Sequence, residues 1–173
     1  MLIGGKSPHF RFSANDILRL ANCLDALALK GFSLMGTLSR RSSAVPGLSE
    51  AVADLFERHG GYLWDGRGEN PYTSMLAAAD LIVVSADSAN MVSEALAAGR
   101  PVYVFFPAES RKNSKIARFL AILAAQRAIY TLSSEEIAAG LETAPREPID
   151  STPIIAESIW SQYQRFKWAQ KAR

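Results

Sequence analysis

One cysteine and two histidines in 173 residues leave little material for a disulfide or a metal centre. Cys23 has no partner for an internal disulfide, and a lone thiol fits a reducing compartment. His9 and His59 lie far apart with no cysteine or histidine at ligand spacing, so no structural or catalytic zinc is expected. No run of roughly 18 apolar residues exists, which excludes a membrane-spanning helix. The N-terminal MLIGGKS lacks the long apolar core of a signal peptide. A cytoplasmic protein is the expectation.

An excess of charge is missing as well. The 19 Lys and Arg stand against 17 Asp and Glu for a net charge of +2, with 49% of the chain apolar. That balance favours an anionic ligand slightly and is far from the basic footprint of a nucleic-acid-binding protein. The length suits one domain with a sizeable core.

Three signatures of familiar chemistries are also absent. Without G-x-G-x-x-G a nicotinamide dinucleotide is not expected, and no other cofactor is implied. GGKS (4–7) resembles the end of a Walker motif, but that motif's first glycine would fall before Met1. Pro8 also interrupts the helix that such a loop must open, so an ATPase P-loop is rejected. Ser88, His9 and Asp87 supply a hydrolase triad on paper, yet no G-x-S-x-G elbow supports it.

What is present is a repeated alternation of strand and helix. Leu2–Ile3 reads as a strand end running into a glycine pair, an abrupt beginning that suggests either a piece of a longer chain or a start site assigned too late. Ser13 with Asp16 forms a capping box, and Ile17, Leu20, Leu24, Leu27 and Ala28 recur at helical spacing. Further strands are expected at 32–38, 61–64, 81–85, 102–106 and 128–132. Between them fall helices from Pro46 to about Arg58 and from Asn70–Pro71 to about Ala79, then at about 88–98 and 112–125. A short helix opens at Ser133, and a spacer over 142–153 leads to the last helix. Strands that are apolar throughout, alternating with helices, predict a parallel sheet covered on both faces. Six such units make a Rossmann-like, doubly wound α/β domain over 1–150, with a C-terminal helix over 151–173.

Ligands of open parallel sheets bind outside the carboxyl ends of the strands, which singles out five segments. In the first, Gly4 and Gly5 allow a phosphate close to the backbone, with Lys6 beside them. Arg40 and Arg41 end the second strand, where paired guanidinium groups can grip phosphate or form a merely solvated turn. DGRGEN (65–70) follows the third strand. SADSAN (85–90) ends a buried strand and starts a helix whose free amides and dipole attract an anion. Asp87 or Ser88 is its N-cap, with Asn90 and Met91 in the first turn. Glu94 falls one turn beyond Asn90 on the same side, while Val92, Leu96 and Gly99 turn the other way. Its carboxylate can accept two hydrogen bonds from a ribose diol. The alternative is a solvent-facing glutamate, with Gly99 an ordinary C-cap.

Glu94, Gly99, Pro101 and Val102 form E-x4-G-x-P-V, which resembles the nucleotide-binding signature in the C-terminal domain of GT-B glycosyltransferases. There the glutamate holds the ribose. LIGGKSPHFRFS, SRRS, WDGRGENPY and AADLIVVSADSANMVSEALAAGRPVYVF together resemble the mitochondrial-fission family named for elongated mitochondria in plants. Its bacterial members are commonly labelled predicted nucleoside-diphosphate-sugar epimerases. The match runs from Leu2 to Phe105 and weakens beyond, and neither G-x-x-G-x-x-G nor Y-x-x-x-K supports the epimerase label.

The resemblance implies the C-terminal half of a two-domain GT-B-like protein. Its ligand would be a nucleoside diphosphate or nucleotide sugar, bound by Gly4, Gly5, Lys6, Arg40, Arg41, Ser88, Asn90, Met91 and Glu94. GT-B transferases typically offer the donor sugar an acidic residue and a Gln after the fifth strand. Here that loop carries Arg111, Lys112 and Lys115, which suit a phosphate or other acidic group better than a neutral hexose. No catalytic base is identifiable, and this fragment by itself is expected to be inactive. A non-catalytic scaffold that recruits protein partners, as implied by the plant members, is the alternative.

The last helix completes the expectation. Ile155, Ile159, Tyr163 and Phe166 recur at helical spacing, with Trp160 and Trp168 on an adjoining strip. In GT-B proteins the final helix crosses onto the N-terminal domain. Here that domain is missing, so the helix should be exposed or self-associated. Arg165, Lys167, Lys171 and Arg173 invite a membrane surface, but no long one-sided cationic face is evident, and that contact is not favoured.

Overall fold

The structure is a computed structural model that describes residues 1–110 and 114–171. Six strands form one parallel sheet: β1 (Leu2–Ile3), β3 (Met35–Leu38), β4 (Tyr62–Trp64), β5 (Ile82–Ser85), β6 (Val102–Phe105) and β8 (Tyr130–Thr131). Their order is β4-β3-β1-β5-β6-β8. Counted along the main sheet, this is the 3-2-1-4-5-6 order of a Rossmann domain. The all-parallel, doubly wound expectation holds. Two further short strands, β2 (Phe10–Arg11) and β7 (Glu109–Ser110), pair antiparallel. They lie within the loops after β1 and β6, and two residues apiece are too few to show a period in sequence.

Side-chain alternation along the strands divides the core in two. Ile3, Val83, Tyr103 and Phe105 face α1 (Ala14–Leu29) and α2 (Leu48–Arg58), and α6 (Ser134–Ala139) adds Ile137 to that side. Leu2, Ile82, Val84, Val102 and Val104 face α4 (Ala89–Ala97) and α5 (Lys115–Ala125), with α3 (Tyr72–Ala78) packed against the same side. Cys23 is buried in α1.

The helix starts follow local capping chemistry. Ser13 and Asp16 complete the capping box of α1, and Ser88, Ser114 and Ser133 cap α4, α5 and α6 through their hydroxyls. Two starts move relative to expectation. Helix α2 begins at Leu48 because Gly47 takes a left-handed conformation (φ 79°) at the N-cap. Helix α3 begins at Tyr72, whose amide donates to Asn70 Oδ1, so Pro71 sits at the cap rather than inside.

Gly99 closes α4 with φ 66°, as a C-cap should. Its amino-edge neighbour is the spacer, where Arg146 N–H donates to Gly99 O. Helix α7 (Thr152–Lys171) follows, and residues 152–168 are exposed without exception. Among the described residues no helix is long and apolar enough to cross a membrane.

Candidate functional site

Strands β1 and β5 are neighbours, and the chain leaves them in opposite directions across the sheet. Such a switch point separates the two loops and opens a crevice at the carboxyl edge. The loops that meet there are 4–9 after β1 and 86–88 after β5, with residues 39–42 after β3 beside them.

A buried carboxylate organises this edge. Asp87 Oδ1 accepts the Ser85 hydroxyl at 2.6 Å, and Oδ2 accepts Gly5 N–H at 3.1 Å and Arg41 Nη2 at 2.8 Å. The Asp87 side chain is fully buried, whereas the guanidinium of Arg41 is 43% exposed. Gly4 N–H donates to Ser85 Oγ at 2.7 Å, and Ser42 Oγ donates to Gly4 O at 2.6 Å. The Gly4 and Gly5 amides and the Gly4 carbonyl are thus satisfied from within.

This corrects the role expected of the glycine pair. A Cβ at Gly4 would fall on the Asp87 carboxylate, and one at Gly5 on the carbonyl of Arg41. The glycines admit the protein's own atoms, not a phosphate. The arginine pair is corrected too. Arg41 turns to Asp87, while Arg40 is exposed and lines a separate groove of about 810 Å³ beside edge strand β4 with Trp64 and Phe56. The two residues lie in the turn after β3, and their side chains go to different surroundings, so the two guanidinium groups do not converge.

The start of α4 lies in the crevice. Ser88 caps it by accepting the Met91 amide at 3.4 Å, and the other first-turn amides have no acceptor within the helix. Asn90 is exposed at that turn. Glu94 is exposed one turn on, and the Tyr72 hydroxyl donates to its Oε2. Burial pushes the Tyr72 phenol up, reinforced by the neighbouring Glu94 charge, so Tyr72 is the proton donor throughout the physiological range. The Tyr72 ring also walls a cleft of about 160 Å³ at the carboxyl ends of β1 and β3. Leu2, Ile3, Leu38 and Met91 make its apolar lining, with Thr37 and Ser39 as polar groups. Met91 therefore contributes a side chain to a cleft as well as an amide to the helix start.

Lys6 is exposed on the β1 loop, and Lys115 is exposed at the start of α5. Arg111 and Lys112 lie outside the described residues. The loop that carries them is tied down at its near end by a second buried carboxylate. Asp16 accepts Ser13 N–H and Oγ–H, Ala108 N–H at 2.9 Å and Arg19 Nη1 at 2.9 Å. Burial alone would raise its carboxyl, but the Ser13 and Ala108 hydrogen bonds and the Arg19 charge outweigh that and hold it low.

A further cavity of about 420 Å³, lined by Met1, Phe32 and Met75 among others, lies at the amino edge of the sheet, away from these groups. Reasoning from sequence missed Tyr72 and Ser85. In sequence Tyr72 is part of a helix start and Ser85 falls in the crevice segment SADSAN without a role of its own.

Comparison with known proteins places this site in a wider setting. Over 104 residues the chain is 36% identical to the mitochondrial fission protein ELM1 of Arabidopsis thaliana, covering 59% of this chain and 24% of that protein. Over 164 residues it is 27% identical to an uncharacterized protein of Rickettsia prowazekii (strain Madrid E), covering 92% of this chain and 45% of that protein. The chain thus spans less than half the length of each. Among solved structures, the molybdenum cofactor carrier protein of Chlamydomonas reinhardtii aligns with a TM-score of 0.46 at 14% identity, over 79% of this chain and 91% of that one. The model of the family described as mitochondrial fission ELM1 matches residues 1–163, and the chain belongs to that family.

Proposed function

We propose that this chain is the nucleotide-binding half of a GT-B-like nucleotide-sugar enzyme, with a nucleoside diphosphate or nucleotide sugar seated at the switch point. The observation that carries the reading is the Tyr72–Glu94 bond. It holds a carboxylate one helical turn from the first amides of α4, beside an apolar cleft at the carboxyl edge of the sheet. In this reading the diphosphate lies on the first turn of α4, where helix amides and the exposed part of Arg41 offset its charge. Glu94 accepts the ribose hydroxyls. Lys6 and Arg40 contribute a cationic field rather than direct contacts.

The relatives' greater length supports a further domain outside this region, and we assign the catalytic base to it. Joined to that domain the protein would act as a glycosyltransferase or nucleotide-sugar epimerase. By itself the fragment is expected to bind without turnover.

One observation favours a second reading, an interaction scaffold. Helix α7 is exposed along 152–168 and carries Ile155, Ile159, Trp160 and Phe166 at 53–62% exposure, and the Arabidopsis relative is named for mitochondrial fission. A thermal-shift screen of nucleotides and nucleotide sugars separates the two. A ligand at a hundredfold excess over its Kd adds about 2.7 kcal/mol of stability. Stabilisation by nucleoside diphosphates supports the first reading; a flat response across the screen, with partner proteins retained through α7, supports the second.

A further inference from the structure

Resting on the nucleotide-binding reading above, we infer that the cleft walled by Tyr72 is the base subsite and that it selects pyrimidine over purine nucleoside diphosphates. The first argument is size. The cleft holds about 160 Å³. An apolar cavity of about 150 Å³ accommodates a single benzene ring, so the cleft takes up one six-membered ring and would leave the second ring of a purine outside it.

The second argument is the stiffness of the walls. Leu2 and Ile3 at the back are 1% exposed and belong to the central strand of the sheet. They cannot retreat without opening both halves of the core. Tyr72 packs against the core with its ring, and its hydroxyl is tied to Glu94. A purine would have to swing that ring outward and break the bond that positions the ribose-binding carboxylate. Met91 is the one pliable wall, since an unbranched thioether adapts to small changes of shape.

The third argument is the order of groups along the ligand. Base, ribose and diphosphate must follow one another in a nucleotide. Met91 lines the cleft and Glu94 lies three residues further along the same helix, so the base and ribose positions adjoin. Tyr72 touches the cleft and Glu94 together. Thr37 and Ser39 are the polar residues at the cleft, and Ser39 Oγ already accepts the Arg41 amide.

Calorimetric titration with UDP, CDP, ADP and GDP tests this, with inorganic pyrophosphate as a base-free probe. UDP and CDP are expected to bind about tenfold or more tighter than ADP and GDP, the range a steric pocket achieves. Tyr72→Ala, which opens the cleft, should remove most of that difference. Tyr72→Phe keeps the wall and should keep the preference, while binding all four more weakly through loss of the Glu94 contact. If Tyr72→Ala does not fold, Met91→Ala widens the same cleft from the helix side and replaces it. Equal binding of purines and pyrimidines, or a preference unchanged by the opened cleft, overturns the base subsite and leaves the nucleotide-binding reading standing. Binding of pyrophosphate as tight as that of UDP likewise removes any base contact. Binding of none of the nucleotides overturns both.

Discussion

Arg41 Nη2 donates to Asp87 Oδ2 at 2.8 Å, joining the loop after β3 to the loop after β5 across the intervening end of β1. Asp87 is the buried partner and holds three donors, so it matters more for stability than the arginine. Asp87→Ala should cost about 2–3 kcal/mol, since the Gly5 amide and the Ser85 hydroxyl lose a charged acceptor in a buried setting. Arg41→Ala should cost only about 1 kcal/mol, because the guanidinium is 43% exposed and water screens the pair. Urea denaturation of both variants and of the double variant checks the relation. The double variant should lose less than the sum of the two, as residues sharing one interaction are not additive. Additive losses would mean that the pair is not coupled.

Glu94→Gln should leave stability unchanged, since the side chain is exposed and buries nothing of its own. Affinity for a nucleoside diphosphate should fall by about 1.5–3 kcal/mol, the value of a hydrogen bond to a charged group. Tyr72→Phe should reproduce part of that loss by leaving the carboxylate unanchored. Calorimetry with UDP reads both, and an unchanged Kd for Glu94→Gln would remove the ribose role.

The parallel sheet, its six strands and both helix layers were legible because buried strands are apolar throughout and serine caps open α1, α4 and α6. The carboxyl edge as the place for a ligand followed from the parallel sheet, whereas the strand order that sets the switch point is seen only in the structure. What stayed hidden depends on which way single side chains turn. GG at 4–5 looked like a phosphate loop because glycine reports only that something comes close, and here that something is Asp87 and the Arg41 carbonyl. RR at 40–41 looked like a clamp, but adjacent residues diverge, and a partner 46 positions away decided where Arg41 went. Tyr72 joins Glu94 across 22 positions between two helices, a contact with no periodic trace in the chain.

Acid should loosen the molecule through Asp16. Its carboxyl is held below the usual range in the folded state and returns to an ordinary value on unfolding. Between those two values the unfolded chain binds more protons, so stability rises with pH there. The contribution is complete above the ordinary carboxylate range and is lost as pH falls through it toward the lowered folded value. Asp16→Asn should lower stability near neutrality by about 1.5–3 kcal/mol. It should also flatten the difference between urea midpoints measured at about pH 6 and pH 3. A variant with the same acid slope as the parent would place that dependence on other carboxylates.

Removing α7 tests what the helix is for. Residues 152–168 are exposed on every face, and the first hydrogen bonds of the helix are local, from Thr152 N–H to Asp150 Oδ1 and from Ile155 N–H to Ser151 O. Ile155, Ile159, Tyr163 and Phe166 lie along one side, and the Trp160 ring lies tilted beside that of Tyr163, with centroids 5.8 Å apart. An isolated helix of this length is marginal in water, and most helical stability in proteins comes from packing an apolar face. The face therefore calls for a partner, which under the reading proposed above is a further domain, with a second copy of this chain as substitute. Ending the chain after Asp150 should change the unfolding free energy by less than about 0.5 kcal/mol, because surface changes away from packed features have effects of that size. The shortened chain should be monodisperse by light scattering, whereas the 173-residue chain should associate with rising concentration. A truncation that costs several kcal/mol would show that α7 packs on its own domain. A 173-residue chain that stays monomeric at high concentration would show that the exposed face is not an interface between copies.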